Sequence, residues 1–233
     1  MKKLIVSAML AASLLVVSGA NATMGTGTDP NVALASLMAG NKDFAKVGDV
    51  SNLVKMSSVK NRVALAAGQN PAAIIVTCSD SRVSPEILFD KGLGEVFVIR
   101  VAGNIVAPHE LGSIEYAVEH LGTRLVMVLG HSACGAVKAT YGAADPLTGI
   151  VPEAAMEGNI GSLLRDIAPA VEESYFEGTE ACIVTNIHNV VEQMESQSEI
   201  VKEGIELGLV KVVAAKYDLT TGKVSLLEES THH

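Results

Sequence analysis

The chain of 233 residues contains no tryptophan, and it has only four tyrosines and four phenylalanines. Carbohydrate-binding surfaces rely on stacked aromatic rings, so this scarcity argues against such a surface and predicts a core of aliphatic side chains and alanine. Basic residues are also few, 17 against 26 acidic ones, which gives a formal net charge of −9. Nucleic acids and anionic membranes require a basic patch, and we therefore expect neither as a partner.

Long hydrophobic runs are absent except near the start of the chain, where the first 22 residues follow the pattern of a signal peptide. Lys2 and Lys3 precede an apolar stretch over 4–17, and small residues then lead to Ala22, which closes an A-x-A cleavage signal. An uncleaved membrane anchor is the alternative, but the stretch is short for a bilayer span and no stop-transfer pattern follows it. We predict cleavage near Ala22, a periplasmic or secreted protein without a membrane span, and one domain over 23–233.

Cysteine is scarce as well, and the three cysteines are an odd number. An exported protein that relied on disulfides would use an even set, so at least one of these thiols is expected to have another role. Cys182 lies in a helical pattern outside every motif, and we expect it to be a buried, inert thiol.

Hydrophobic periodicity predicts that strands alternate with helices. Two helical stretches come first, over about 31–47 and 53–67. Continuous apolar runs then predict buried strands, and helical periods lie between them. The strand runs are 72–77, 95–101 and 124–129, and the helical ones are 84–89, 109–121 and a stretch that starts at Cys134.

A helical region over 150–207, with breaks predicted near Pro169 and Gly178, precedes two further strand-like runs at 209–215 and 223–227. This order predicts an α/β domain with a mainly parallel sheet of four to five strands flanked by helices. We also expect N- and C-terminal helical extensions and a C-terminal edge strand or hairpin.

Two cysteines and a histidine come directly after predicted strands. Cys78 follows the first strand, while His131 and Cys134 follow the third, and Gly130 and Gly135 are expected to relieve backbone crowding in that turn. If the first and third strands are neighbours, these side chains meet in the crevice at the carboxyl ends of the strands. Two thiolates and one imidazole suit Zn²⁺, and three protein ligands with a vacant fourth position are typical of catalytic zinc. On spacing alone, buried core cysteines or a Cys78–Cys134 disulfide remain alternatives.

A polar loop, 79–82, follows Cys78. Asp80 is close enough in sequence to compete for the fourth metal position, and Arg82 can hold its carboxylate away through a bidentate hydrogen bond. Asp80 could then accept a proton from metal-bound water or orient the resulting hydroxide. A surface ion pair is the alternative, although burying such a polar loop would be costly without a function.

These residues resemble the two-part signature of β-class carbonic anhydrases, in the form that bacterial, exported proteins would carry. The matching segments are Cys78-Ser-Asp80-Ser-Arg82-Val-x-Pro85, His131-Ser-x-Cys134-Gly135, Gly68-Gln69-x-Pro71, Arg100-Val-Ala-Gly-Asn104, Ile114-Glu-Tyr116-Ala-Val and Tyr217-Asp-Leu. The resemblance implies zinc-dependent, reversible hydration of CO₂ to bicarbonate and a proton by attack of zinc-bound hydroxide. It also implies a dimer or tetramer with active sites at subunit interfaces.

Carried over to this chain, the resemblance makes Cys78, His131 and Cys134 the zinc ligands, and the pair Asp80–Arg82 the catalytic dyad. It also makes Gln69 the amide that orients the substrate.

The apolar wall of the CO₂ pocket matches Phe97, Ala102 and Tyr116, with Gly135 beside it. Many relatives carry valine at the position of Ala102, so the pocket is expected to be looser here. Ordinary core and helix-end positions are the alternative for Gln69 and the wall residues. His120, four residues after Tyr116 on the same helix, is a candidate proton relay, and a structural histidine is its alternative.

Some β-class members close the site with aspartate on zinc and bind bicarbonate in a pocket around a tryptophan and a tyrosine. Tyr217 matches that tyrosine, but Ile75 occupies the tryptophan position. We therefore predict an open, type I-like site in which Asp80 would be a fourth ligand only in a closed state. Two thiolates leave the metal less positive than three imidazoles do, which predicts activity that rises toward alkaline pH.

Two other functions are compatible with the fold. One is a zinc lyase or hydrolase that acts on a CO₂-like molecule such as CS₂, and the other is a catalytically silent zinc-binding module. The presence of Asp80, Arg82 and Gln69 argues against the silent module.

Overall fold

The computed structural model describes residues 27–228, so the predicted signal peptide lies outside the described part of the chain. The helices are α1 (Pro30–Val47), α2 (Ser51–Met56), α3 (Val59–Leu65), α4 (Pro85–Leu88), α5 (Pro108–Glu119), α6 (Gly135–Ala143), α7 (Gly158–Ser174), α8 (Thr179–Gln197) and α9 (Glu199–Glu206). The strands are β1 (Ala73–Thr77), β2 (Val96–Arg100), β3 (Leu125–His131), β4 (Lys211–Tyr217) and β5 (Val224–Leu226). Within 27–228, none of the helices is both long enough and apolar enough to cross a membrane.

The five strands form one sheet in the order β2-β1-β3-β4-β5. The first four are parallel, and β5 runs antiparallel to β4. The predicted fold class, with its C-terminal edge strand, is thereby confirmed. The strand order reverses between β1 and β3, so the carboxyl ends of these two strands flank the crevice where doubly wound sheets bind ligands.

The sheet separates two apolar cores. On one face, alternate strand residues such as Val76 and Val128 pack with helices α5–α9, whereas on the other face Ile75 and Met127 pack with α1 and α4. Every residue of β1 and β3 is buried. Burial on both faces is what their continuous apolar runs predicted.

A buried asparagine joins α1 to the rest of the domain. The Asn41 side chain donates to the carbonyl oxygens of Leu88 and Gly222 at 3.2 and 2.9 Å, and it accepts from the backbone N–H of Val224 at 2.8 Å. Its polar atoms are thus satisfied inside the core, and they fix α1 to α4 and to the turn between β4 and β5.

Several details of the predicted helices are wrong: in the region over 150–207, α7 begins only at Gly158, and a break that was not predicted separates α8 from α9 at Ser198. The stretch predicted over 53–67 is two helices, because the hydroxyl of Ser58 accepts from the Asn61 N–H and starts α3 anew. Pro169 does not break α7, which continues to Ser174. Proline removes one helical hydrogen bond, but this stretch of α7 is buried against α6 and α8, and that packing outweighs the loss. The break predicted at Gly178 is present, and α8 begins directly after it.

Candidate metal centre

Cys78, His131 and Cys134 meet at the carboxyl ends of β1 and β3. Cys78 directly follows β1, His131 is the last residue of β3, and Cys134 precedes α6. Their candidate ligand atoms all lie within 4.8 Å of one another, and all three residues are buried. The expected pairing of the first and third strands is confirmed. Both cysteines are free thiols, so they do not form the alternative disulfide.

The His131 ring is oriented as a metal ligand would be. Its Nδ1 lies 3.0 Å from the carbonyl oxygen of Ser132, which can only accept a hydrogen bond, so Nδ1 carries the proton. Nε2 therefore presents a lone pair, and this buried atom has no hydrogen-bond partner among the described residues. An unpartnered nitrogen beside two sulfur atoms is costly to bury unless it binds a cation. The three residues fit a bound metal.

A hydrogen bond between the two cysteines shifts the pKa values of their thiols in opposite directions. The hydrogen bond from Cys134 lowers the pKa of Cys78 to about 4 although burial acts to raise it, and the N–H of Gly103, 3.3 Å from Cys78 Sγ, adds to the lowering. The same hydrogen bond raises the pKa of Cys134, as does burial, so Cys134 keeps the proton. A soft divalent cation would displace that proton and bind both sulfur atoms as thiolates.

Asp80 lies at the edge of this cluster, and its carboxylate is hydrogen-bonded to Arg82. The arginine donates from Nε to Oδ1 at 2.9 Å and from Nη2 to Oδ2 at 2.7 Å, and its backbone N–H also donates to Oδ1 at 2.9 Å. These hydrogen bonds hold the pKa of Asp80 well below its usual range. Oδ2 is 3.9 Å from His131 Nε2, so an ionised carboxylate lies beside the ligands while it stays bonded to Arg82.

Sequence reasoning missed the residues that support the Cys78 loop. Arg100 donates from Nε to the carbonyl oxygen of Cys78 at 3.2 Å and from Nη2 to that of Asp80 at 2.8 Å. Gly103 has φ of 78°, and its carbonyl oxygen accepts from Asn186 at 2.8 Å. Arg100 is the last residue of β2 and Gly103 follows that strand, in a segment that already carried the family resemblance, so the sequence held a signal for both residues. Asn186 lies 83 residues from Gly103 in α8 and had no such signal.

Two of the predicted pocket residues lie close to the ligands. Ala102 follows β2, and Gly135 is the first residue of α6, next to Cys134. Apart from its chain neighbours and its own helix backbone, no described atom lies within 4 Å of where a Cβ of Gly135 would be, so this position faces open space. A Cβ at Gly130 would come within 2.5 Å of the Ile187 side chain, so that position is crowded by a side chain of α8 and not by the backbone of the turn.

The other predicted pocket residues lie toward the opposite end of the sheet. Gln69 lies four residues before β1, whereas Cys78 directly follows this strand of five residues, which is about 16 Å long. Phe97 is near the start of β2, and Tyr116 is in the last turn of α5, with its side chain half exposed. His120 follows Tyr116, with their ring centroids 5.3 Å apart. One chain therefore does not bring these four residues to its own metal cluster, and their roles stay predictions.

The comparisons with known proteins name carbonic anhydrases. A family model described as carbonic anhydrase matches residues 73–224. A carbonic anhydrase of Mycolicibacterium smegmatis is 36% identical over 207 residues, covering 85% of this chain and 94% of that protein. Carbonic anhydrase 2 of Mycobacterium tuberculosis is 37% identical over 202 residues, covering 85% and 93%.

Solved structures give the same result. A tetrameric β-carbonic anhydrase of Sordaria macrospora superposes with a TM-score of 0.61 at 27% identity, covering 84% of this chain and 95% of that one. The Coccomyxa β-carbonic anhydrase in complex with acetazolamide has a TM-score of 0.59 at 27% identity, covering 78% and 87%. The chain belongs to the β-carbonic anhydrase family of enzymes.

Proposed function

We propose that this chain catalyses the reversible hydration of CO₂ to bicarbonate and a proton with Zn²⁺ held by Cys78, His131 and Cys134. The observation that carries the proposal is the geometry of the cluster: the buried Nε2 of His131 and the sulfur atoms of two buried, free cysteines lie within 4.8 Å of one another. Family membership supports the reaction, and a donor set of two sulfur atoms and one nitrogen supports zinc over harder cations.

A bound Zn²⁺ would supply a nucleophile near neutral pH by acidifying water, and the chain supplies the surrounding groups. Asp80, kept ionised by Arg82, has an acceptor oxygen, Oδ2, on the side of the cluster, where it can accept a hydrogen bond from the nucleophile and orient it. Arg82 keeps the same carboxylate off the metal because both oxygens are engaged in its hydrogen bonds. This arrangement supports the open form of the site.

The burial of Ile75 also supports an open site that bicarbonate does not regulate. Ile75 lies at the tryptophan position of the regulated relatives, and here it is fully buried among the apolar residues of the second core. A crystal structure at low pH with Asp80 coordinated to zinc would refute the open form.

We further propose that the pocket is completed across an interface between two copies of the chain, as a dimer or within a tetramer. Gln69 and Tyr116 are exposed, and they lie at the end of the sheet away from their own metal cluster. A second copy can bring the partner's Gln69, the partner's Phe97 and the partner's Tyr116 to the ligands. The similar β-carbonic anhydrase of Sordaria macrospora is tetrameric, which supports self-association.

His120 is proposed as a proton relay at that interface. Its side chain is 58% exposed, and its Nε2 lies 3.6 Å from a carboxylate oxygen of Glu119. A relay predicts that His120→Ala lowers turnover in weak buffer and that added imidazole restores it. Unchanged turnover would identify His120 as a structural histidine.

We also propose that residues 1–22 direct export and that the enzyme acts in the periplasm or outside the cell. The charged start, the apolar stretch and the cleavage signal of the sequence support this. The protein recovered from a periplasmic fraction should begin at Thr23 by intact mass. A cytoplasmic protein that retains residues 1–22 would contradict export.

Stopped-flow CO₂ hydration by the chain 23–233, together with metal analysis and a parallel assay with CS₂, tests the reaction. We expect CO₂ hydration and about one zinc per chain. Turnover of CS₂ without CO₂ hydration would favour the alternative substrate, and zinc without either activity would indicate a silent module.

A further inference from the structure

The turn between the two ligands of the H-x-x-C segment contains a strained residue. Ala133 has φ of 54°, in the left-handed region that side chains with a Cβ disfavour. The turn therefore needs contacts from outside to keep its shape. Ser132 has two of them: its N–H donates to the carbonyl oxygen of Tyr217 at 2.9 Å, and its hydroxyl accepts from the Leu219 N–H at 3.0 Å.

Glu180 makes the contact to Ala133 itself. Its Oε1 accepts the Ala133 N–H at 2.9 Å, and its Oε2 accepts from Nζ of Lys216 at 2.6 Å. Glu180 is the second residue of α8, and Lys216 is the penultimate residue of β4. The carboxylate thus joins the strained turn to a helix and to a strand of the sheet. Ala133 and Glu180 are 47 residues apart, and no motif links them.

We propose that Glu180 is a positioning residue for the metal centre. By accepting the Ala133 N–H it keeps the turn in the shape that aims His131 and Cys134 at one point, and Lys216 fixes the orientation of the carboxylate. Glu180 itself contacts neither the metal cluster nor the substrate pocket. The inference rests on the proposed metal site. It adds that Glu180 slows the release of the metal ion from that site.

The simplest alternative is an ordinary surface ion pair. The Glu180 side chain is 55% exposed, and pairs of that kind contribute little to stability. A carboxylate in the first turn of α8 is also favoured by the helix dipole. Both alternatives depend on the charge of Glu180 and predict no effect on the metal. The proposal depends on an acceptor for the Ala133 N–H, which glutamine retains and alanine removes.

Two measurements on the full mature chain separate these cases. One is the rate at which the zinc-loaded protein releases Zn²⁺ to a chromophoric chelator, and the other is the absorption spectrum of the Co²⁺-substituted protein, whose bands report ligand geometry. We expect Glu180→Ala to release Zn²⁺ about tenfold faster and to shift the Co²⁺ bands, whereas Glu180→Gln stays within about twofold of the wild type. Lys216→Met should accelerate release by less than Glu180→Ala does.

The matched control is Glu173→Ala, which removes an exposed carboxylate of α7 that makes no contact with the turn, and it should leave both measurements unchanged. Wild-type release and spectrum in Glu180→Ala would overturn the proposal, and so would a Glu180→Gln variant as impaired as Glu180→Ala. If Glu180→Ala does not fold, Lys216→Met becomes the deciding variant. A rate of Zn²⁺ release from Lys216→Met equal to that of the wild type would then overturn the proposal. A wild-type chain that binds no Zn²⁺ would instead refute the proposed function, so the two failures are distinguishable.

Discussion

Arg82 holds Asp80 through two parallel hydrogen bonds, one to each carboxylate oxygen, at 2.9 and 2.7 Å. The pair lies beside the metal cluster, with Asp80 Oδ2 at 3.9 Å from His131 Nε2. A free carboxylate at this distance would compete for a bound cation, so the arginine decides whether Asp80 serves as an acceptor or as a ligand.

Removal of Arg82 should therefore slow the enzyme through Asp80. We expect Arg82→Ala to lower kcat/KM for CO₂ hydration by about 10²-fold, because the released carboxylate can reach the metal and no longer acts as an oriented acceptor. Stopped-flow kinetics on zinc-loaded protein measures this loss. Arg82→Lys keeps the charge without the bidentate geometry, so its kcat/KM should lie between the values of the wild type and Arg82→Ala.

A double variant provides the control for that prediction. If Arg82 acts through Asp80, Arg82→Ala in an Asp80→Asn background should cause little further loss, because the two residues work as one unit. Losses that multiply in the double variant would contradict the coupling.

The pH dependence of the reaction should not come from Asp80. Its pKa is held well below the usual range, mainly by the Arg82 hydrogen bond, so it stays ionised throughout pH 6 to 9. The stabilisation from this pairing is present above the ordinary aspartate pKa of about 3.9, and it is lost only as the pH falls through the lowered folded-state value.

We predict that kcat/KM rises from pH 6 to 9, because two thiolates leave the metal less positive than three imidazoles do. Asp80→Asn should lower the rate while the rise toward alkaline pH remains, because Asp80 is not the group that titrates. A flat profile over that range, or loss of the rise in Asp80→Asn, would contradict the account.

The separation of Gln69 from Cys78 within one chain predicts complementation between two defective variants. Cys78→Ser removes a metal ligand, and Gln69→Ala removes a pocket amide at the other end of β1. In a dimer with composite sites, a mixed pair contains one site with both defects and one intact site. Randomly reassociated chains should then recover about a quarter of wild-type activity, since half the dimers are mixed and each has one good site.

The measurement is CO₂ hydration after the two variants are unfolded together and refolded with zinc. Each variant refolded alone is the control and should show only its own residual activity. If the mixture gives no more than the average of the two controls, Gln69 serves its own chain or no site at all.

The sequence predicted most of the sheet and the cluster because both depend on local signals. The buried runs of β1 and β3 are continuous and apolar, and Cys78 and His131 come at their ends, so parallel pairing alone brings them together. The details that failed depend on tertiary context. Nothing local shows that packing against α6 and α8 outweighs the helix-breaking tendency of Pro169.

The same limit applies to the supporting contacts of the site. Glu180 lies in a helix that no motif marks, and the positive φ of Ala133 belongs to a residue type that rarely adopts it. Gln69 precedes β1 and Cys78 directly follows it, so their separation follows from the bounds of that strand. Contacts that join distant segments through backbone atoms leave little trace in residue identity.

The central claim is that Cys78, His131 and Cys134 hold a catalytic zinc, and the Cys78→Ser variant tests it most directly. Zinc content and CO₂ hydration are measured on the wild type, on Cys78→Ser and on Cys182→Ala, which removes a buried thiol of α8 outside the cluster. The account predicts about one zinc per chain and full activity in the wild type and in Cys182→Ala, and loss of both in Cys78→Ser. A folded Cys78→Ser variant that retains its zinc and hydrates CO₂ at the wild-type rate would contradict it.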